Sequence, residues 1–310
     1  PIHTTINRHI THTHTHAMDT SMLVPVVGVV FLLIAFFLLK SNKGGKSAAA
    51  VEPIALKESA YQSFKLIQKT QVSPNTCIFR FALGASNQRV GLPTGKHMML
   101  KFIDAEGKPI MRAYTPISSD DDLGYFDLLI KMYDTGKMSQ HLKSLEIGST
   151  IDVRGPIGSL EYTGSGEFTI KRAGGRIQQS SIKSVGMIAG GSGITPMYQI
   201  LREVSKRAGS DMTRLSLIFA NQTESDILLR TELDQFRESR SLTDITYTLD
   251  RPAESWTGAK GFVTPDLIKA NLPPPSSSTL ILLCGPKPMV DMMEKHLQAL
   301  GYTEDMYFKY

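Results

Sequence analysis

Two cysteines, Cys77 and Cys284, are all the chain has in 310 residues. They are too few and too distant in sequence for a disulfide framework, leaving at most one bridge and suiting a reducing compartment. A strong charge of one sign is also lacking. The formal net charge is +5, and Arg8, Lys40, Lys43 and Lys46 supply four of the basic groups, so residues 54–310 are nearly balanced. No basic footprint for nucleic acid exists there, and none is expected to bind. No internal repeat is present. With 41% hydrophobic and 20% charged residues the composition is that of folded protein, and the length allows two domains behind a non-globular head.

Long apolar runs are scarce, with one exception at residues 22–39, MLVPVVGVVFLLIAFFLL. As a helix these 18 residues rise about 27 Å, close to a thin bilayer of the endoplasmic-reticulum type. Pro25 falls in the first turn, where its missing N–H costs little, and Gly28 is tolerated in lipid. Lys40, Lys43 and Lys46 follow the run while no basic residue lies between Met18 and Ser21, which places the C-terminal body in the cytosol. A cleavable signal peptide ending near Ala48–Ala50 is the rival reading, with its basic residues on the wrong side of the apolar core. Ahead of the run, the Thr-His repeats of residues 1–17 have no apolar period and precede Met18, the expected start. His12, His14 and His16 have no fixed partners, so no metal site is expected.

The resulting organisation is a disordered head at 1–21, a transmembrane anchor at 22–40 and a flexible linker at 41–53, with a reach of about 20 Å. Short apolar segments at 76–83, 98–103, 126–133 and 149–153, separated by turn residues, predict an antiparallel β-barrel over 54–165. Basic, poorly periodic residues make 166–183 the expected interdomain connection. From 184 to 310 buried-type strands at 185–189, 215–220, 245–249 and 280–284 alternate with helical stretches at 196–206, 228–237 and 287–300, predicting a doubly wound parallel α/β domain. Met197, Ile200, Leu201 and Val204 form one helical stripe, and Met289, Met293, Leu297 and Leu300 another; both should face the sheet.

Gly190-Gly191-Ser192-Gly193-Ile194-Thr195-Pro196 joins a strand to a helix, so that backbone amides and the positive helix end can face a diphosphate. The motif departs from GxGxxG spacing, and a tight turn that needs glycine for sterics alone is the competing explanation. Cys284-Gly285-Pro286 ends the last main strand at the carboxyl edge, where ligands collect in open α/β sheets, although Cys284 alone also reads as a core thiol. Arg112, Tyr114 and Thr115 offer a cation, an aromatic plane and a hydroxyl within one short span, a set that suits a flavin dinucleotide. Gly136-Lys137-Met138-Ser139 precedes a short helix and is a second phosphate cradle; Lys137 as a solvated surface charge is the alternative.

The segments RAYTPISSDDD, LLIKMY, GKMSQHL, GMIAGGSGITPM, FANQTESDILLR and LCGPKPMV resemble the NADH-cytochrome b5 reductases, within the ferredoxin-reductase-like flavoenzymes, over essentially residues 54–310. The resemblance implies an FAD-binding barrel followed by an NADH-binding domain, hydride uptake from NADH, and delivery of single electrons to cytochrome b5. Carried over by motif, Arg112, Tyr114, Thr115, Ile130, Lys131, Gly136, Lys137, Met138 and Ser139 contact FAD or shape its site. His97 hydrogen-bonds toward the flavin through Thr115, and Thr195 lies beside the ring. Gly191, Gly193, Cys284, Gly285 and Met289 line the nicotinamide channel, with His97, Thr115, Thr195 and Cys284 as the catalytic set. Asp226 matches the position associated with NADH over NADPH, since a carboxylate accepts from a ribose hydroxyl and repels a phosphate. An NAD(P)H-quinone reductase, a reductase for another haem partner, and a nucleotide-sensing scaffold without catalysis are the alternatives. An acidic cytochrome partner would meet Lys96, Lys137, Lys171 and Arg172, on a monomeric catalytic body at the endoplasmic reticulum or the mitochondrial outer membrane.

Overall fold

Alternation of inward apolar and outward polar residues builds the first domain. Strands β1 (Gln62–Ser73) and β2 (Thr76–Ala82) form a hairpin, followed by β3 (His97–Ile103), β4 (Pro109–Tyr114), β5 (Tyr125–Lys131), helix α1 (Lys137–Ser144) and β6 (Thr150–Ile157). The computed structural model describes residues 54–310 except 240 and 241. The expected head, membrane span and linker, residues 1–53, lie outside the described residues. Among the described residues no helix is long and apolar enough to cross a membrane.

The six strands pair antiparallel in the order β4-β3-β6-β1-β2-β5. The expected barrel is thus an antiparallel sheet around one core, with β4 and β5 at its ends. Phe64, Phe79, Phe81, Leu100, Phe126 and Val153 pack in that core, and α1 closes it with Met138 and Leu142. β1 escapes the sequence reading because only Phe64 and Leu66 along its length are buried. Ser63 and Lys65, which precede them, are exposed, and beyond Leu66 no side chain of the strand is buried, Ile67 and Val72 included. β4 is a mostly exposed strand, and that open face carries Arg112.

The segment expected as a connection, 166–183, is largely β-structure. β7 (Leu160–Gly164), β8 (Glu167–Lys171) and β9 (Ile177–Ser181) make a three-stranded antiparallel sheet. Leu160, Tyr162, Phe168 and Ile170 belong to the same core as Met187, Leu201 and Leu217 of the second domain. Asp211 fixes this sheet by accepting from the Tyr162 hydroxyl and, at 2.8 Å, from the Ser165 N–H. These contacts are long-range, which is why the basic local sequence gives no sign of them.

The second domain runs β10 (Ser184–Gly190), α2 (Ile194–Lys206), β11 (Arg214–Asn221), α3 (Arg230–Glu238), β12 (Asp244–Leu249), β13 (Ala259–Lys260), α4 (Pro265–Asn271), β14 (Thr279–Cys284), α5 (Lys287–Ala299) and β15 (Tyr307–Lys309). Every strand pair is parallel, in the order β13-β12-β11-β10-β14-β15. The chain moves outward in one direction from β10 and then returns to its other side, so the topological switch point lies at β10. Ligands of such sheets bind outside the carboxyl ends at this point. Met197, Ile200, Leu201 and Val204 are buried as their helical spacing requires, and Leu233 of α3 joins them on one face. Ile268 of α4 and Met293 and Leu297 of α5 cover the other. α4 is a short helix with one buried side chain. Pro265 begins it, and Thr264 caps it by accepting from Leu267 N–H at 3.2 Å.

Candidate active site

The two glycine motifs meet at the switch point through their backbones. A Cβ on Gly193 would lie 2.2 Å from the carbonyl oxygen of Cys284, and one on Gly190 would lie 2.5 Å from Met289 Sδ. Gly285 in turn packs against Gly190, its Cβ position 3.2 Å from Gly190 Cα. Gly191 differs: its φ is +52° and no atom stands within 4 Å of its Cβ position, so it fronts open space. The sequence expectation for Gly191, Gly193, Cys284, Gly285 and Met289 therefore gathers at one carboxyl edge. Thr195, 8% exposed, donates to the Ser192 carbonyl at 3.3 Å and closes the turn. Burial pushes the Cys284 thiol up to about 12, so at neutral pH it is a neutral thiol and not a nucleophilic thiolate.

Two buried polar groups on the α2 side of this edge have no hydrogen-bond partner among the described residues: both amide atoms of Asn221 and the Tyr310 hydroxyl. Tyr310 packs with Cys284 against the α2-side core, and burial drives its phenol pKa far upward. Unpaired polar atoms beside a glycine turn with open space in front of it fit a dinucleotide with hydroxyl and amide groups to share.

On the first domain, Arg112 donates only to the neighbouring Met111 carbonyl, at 2.7 Å, and has no acidic partner among the described residues. Tyr114 is half-buried against the barrel core, and burial raises its phenol to about 12. Thr115 is 8% exposed and its hydroxyl makes no hydrogen bond among the described residues. The β3–β4 register ends at Met98–Tyr114, so one further step sets His97 across from Thr115. No His97–Thr115 hydrogen bond is present. Burial, and then the charge of Lys96, lowers the pKa of His97 and keeps its ring neutral. These residues leave a cation, a ring and a hydroxyl uncommitted, as a flavin dinucleotide requires.

Other expected FAD contacts are arranged differently. Ile130 and Met138 are core side chains, 1% and 3% exposed, and only their backbone can meet a ligand. The Ser139 hydroxyl lies 2.9 Å from the Gly136 carbonyl and accepts from Tyr133 N–H at 3.2 Å. It therefore fixes the turn. Gly136 is required there, because its Cβ would stand 2.6 Å from Ser139 Oγ. Lys137 is paired with Asp104 at 2.7 Å and Glu106 at 3.5 Å.

Lys131 and Asp226, expected on different cofactors, form one ion pair of 2.7 Å linking the domains, with both side chains largely buried. Asp226 also accepts from the Thr223 N–H at 3.1 Å and the Thr223 hydroxyl at 2.7 Å. Its oxygens are thus engaged within the protein. Burial acts to raise its pKa, but the Lys131 and Thr223 hydrogen bonds with the Lys131 charge outweigh that and hold it at about 2.

Asp250, just past the end of β12, is the exposed carboxylate at this edge and makes no side-chain hydrogen bond among the described residues; burial raises its pKa against the opposing charge of Arg251. Phe262 stands close to it in the chain path, 79% exposed, directly after Gly261, whose N–H donates to Leu249. The sequence signal for this pair is an acid just past one parallel strand and an aromatic just past the next, β13, and Asn221 likewise ends a strand. Three of the four cations expected to meet a partner also bond within the chain, Lys137 from a side chain that is 57% exposed. Lys96 donates to the Gly158 carbonyl, Arg172 to the carbonyls of Tyr307 and Asp305, and Lys137 pairs as above. Lys171 is exposed and carries no ion pair among the described residues.

Gly193→Ala is expected to push the two motifs apart by about 1 Å and slow reduction of bound flavin by NADH about a hundredfold, while the flavin absorbance spectrum stays that of the parent. Asp226 contributes stability fully above its ordinary value of 3.8 and loses it as the pH falls toward about 2. Urea unfolding of the parent and Asp226→Asn should therefore differ at pH 7 and converge as the pH is lowered through that window; a constant difference would show that the ion pair does not hold the domains.

Residues 63–162 match the oxidoreductase FAD-binding domain and residues 187–295 the oxidoreductase NAD-binding domain. The chain is 44% identical over 280 residues to NADH-cytochrome b5 reductase 1 of Debaryomyces hansenii, covering 90% of each chain. It is 46% identical over 272 residues to NADH-cytochrome b5 reductase 2 of Homo sapiens, covering 84% of this chain and 98% of the relative. Among solved structures, the cytochrome b5 reductase domain of Ulva prolifera nitrate reductase superposes with a TM-score of 0.78 at 36% identity, covering 84% of this chain and all of that one. A barrel with an uncommitted arginine, tyrosine and threonine, a glycine edge suited to a dinucleotide, and these similarities make the chain an FAD- and NADH-dependent oxidoreductase that belongs to the NADH-cytochrome b5 reductase family.

Proposed function

We propose that this chain takes hydride from NADH and passes electrons singly to cytochrome b5, held at a membrane by residues 22–40 with a monomeric catalytic body in the cytosol. The observation that carries the reading is the contact of β5 with the Gly191–Gly193 turn, joined by the Lys131–Asp226 bridge, which sets the nucleotide edge against the barrel domain. FAD supplies the step from two electrons to one, and the protein supplies position and electrostatics. Arg112 holds the FAD diphosphate, Tyr114 packs on the cofactor, and the Thr115 hydroxyl with His97 behind it serves the polar edge of the ring. Thr195 and the neutral Cys284 thiol bound the place where the nicotinamide lies. Asp250 reads the nucleotide ribose and excludes a 2′-phosphate, while Phe262 offers a plane for the adenine.

Cytochrome b5 appears in the names of the relatives, and Lys171 is the cation left for an acidic rim. The uncharged run at 22–39 followed by Lys40, Lys43 and Lys46 supports the membrane, that of the endoplasmic reticulum or the mitochondrial outer membrane.

Anaerobic stopped-flow mixing of the full chain in detergent should show rapid flavin bleaching by NADH and slow bleaching by NADPH, followed by reoxidation on a second mix with cytochrome b5. Asp250→Asn should shrink the NADH preference by about tenfold or more, and Asp226→Asn should leave it in place. Equal parent rates with both nucleotides would refute the specificity assignment, and quinone reduction far outpacing cytochrome reduction would refute the acceptor. Alkaline carbonate should leave the chain in the membrane pellet; complete release would rule out the anchor.

A further inference from the structure

Asn221 ends β11 and is 5% exposed, yet neither its Nδ2 nor its Oδ1 has a hydrogen-bond partner among the described residues. An amide buried in this state is costly to the fold, which points to a partner supplied from outside the chain. Its direction follows from the strand. Leu215, Leu217 and Phe219 enter the core under α2, whereas Ile218 and Ala220 face the opposite core, so Asn221 points with Phe219 to the α2 side. The parallel register pairs Gly190 with Ala220, and its next step places Asn221 beside Gly191, about 4.8 Å away across the strand spacing. On the other side the Asn221 carbonyl accepts from Asp250 N–H at 3.0 Å. Asn221 therefore lies between the glycine turn and the backbone of Asp250, its amide on the same face as its register partner Leu249, and the turn itself touches both β11 and β5.

We propose that Asn221 binds the ribose-diphosphate part of NADH, its Nδ2 donating to a diphosphate oxygen and its Oδ1 accepting from a ribose hydroxyl. The proposal rests on the reading of this edge as the NADH site. The chemistry of the amide favours this part of the nucleotide over its neighbours. A diphosphate beside the helix N-terminus takes donors only and a ribose hydroxyl gives a proton, so one amide satisfies both where they join. A carboxylate at the same place would repel the diphosphate.

The test is calorimetric titration of the FAD-loaded full chain with NAD+ and with ADP-ribose, which lacks the nicotinamide, alongside thermal unfolding without nucleotide. Asn221→Leu, near in volume, should raise the dissociation constants of both ligands about tenfold while the unfolding temperature stays level or rises, because the amide gives the nucleotide-free fold no bond. Asn221→Asp should weaken both ligands further. A parent that binds both ligands and an unaltered Asn221→Leu would overturn the proposal alone. Loss confined to NAD+ would assign the amide to the nicotinamide and overturn it, as would a lowered unfolding temperature with unchanged affinity. A parent that binds neither ligand would overturn the reading of the edge and the proposal together.

Discussion

The contact of Gly193 with the Cys284 carbonyl is the constraint on which the site depends. Any side chain there would need its first carbon 2.2 Å from an oxygen, a separation no packing adjustment absorbs. With glycine, the turn after β10 and the turn after β14 share one edge, although more than ninety positions of chain separate them. The glycine turn and the segment of the Cys284 thiol thus form one rigid unit, held by the parallel pairing of β10 with β14 and by Met289. Catalysis by proximity needs this rigidity, because two rings can exchange hydride only when held at a fixed separation.

The two domains are also one packed object at their junction. The sheet β7-β8-β9 puts Phe168 and Ile170 into the core under α2, and Asp211 ties its turn to the second domain. Lys131–Asp226 adds a bond at the cofactor edge. An ion pair largely removed from water is a poor source of net stability, but it is exacting in geometry. Its position suits alignment of one domain on the other. Arg172 works similarly through backbone carbonyls, clasping Asp305 and Tyr307 and steadying the strand that carries Tyr310 toward Cys284.

Much of the fold was legible locally. The helical spacing of Met197, Ile200, Leu201 and Val204 named the buried face of α2, and β10 and β14 at the centre of the parallel sheet stood out because burial on both faces makes them almost wholly apolar. β1 and the β7–β9 sheet did not stand out, since an exposed face or a polar edge breaks the period and the core that covers their apolar residues comes from distant parts of the chain. Among site residues, the glycines gather at one carboxyl edge, and the Arg112–Thr115 span lies on the open strand β4 and just after it. Asp226 and Ser139 have the side-chain chemistry for a ligand, and both also bond to neighbours far or near in sequence. Asp250 and Asn221 were passed over because a strand-ending acid or amide is common and its significance depends on what faces it.

Composition, periodicity and motif order by themselves determined two domains, their order, a flavin-type cation and aromatic set, and a nucleotide edge built on glycine, because these rest on steric and hydrophobic rules that act within a few residues. Only the tertiary structure decided which polar groups remain uncommitted at that edge. A hydrogen bond consumes a donor or acceptor wherever its partner lies in the chain, so the engagement of Asp226, the exposure of Asp250 and the unpaired amide of Asn221 exist only once the distant strands and the two domains have met.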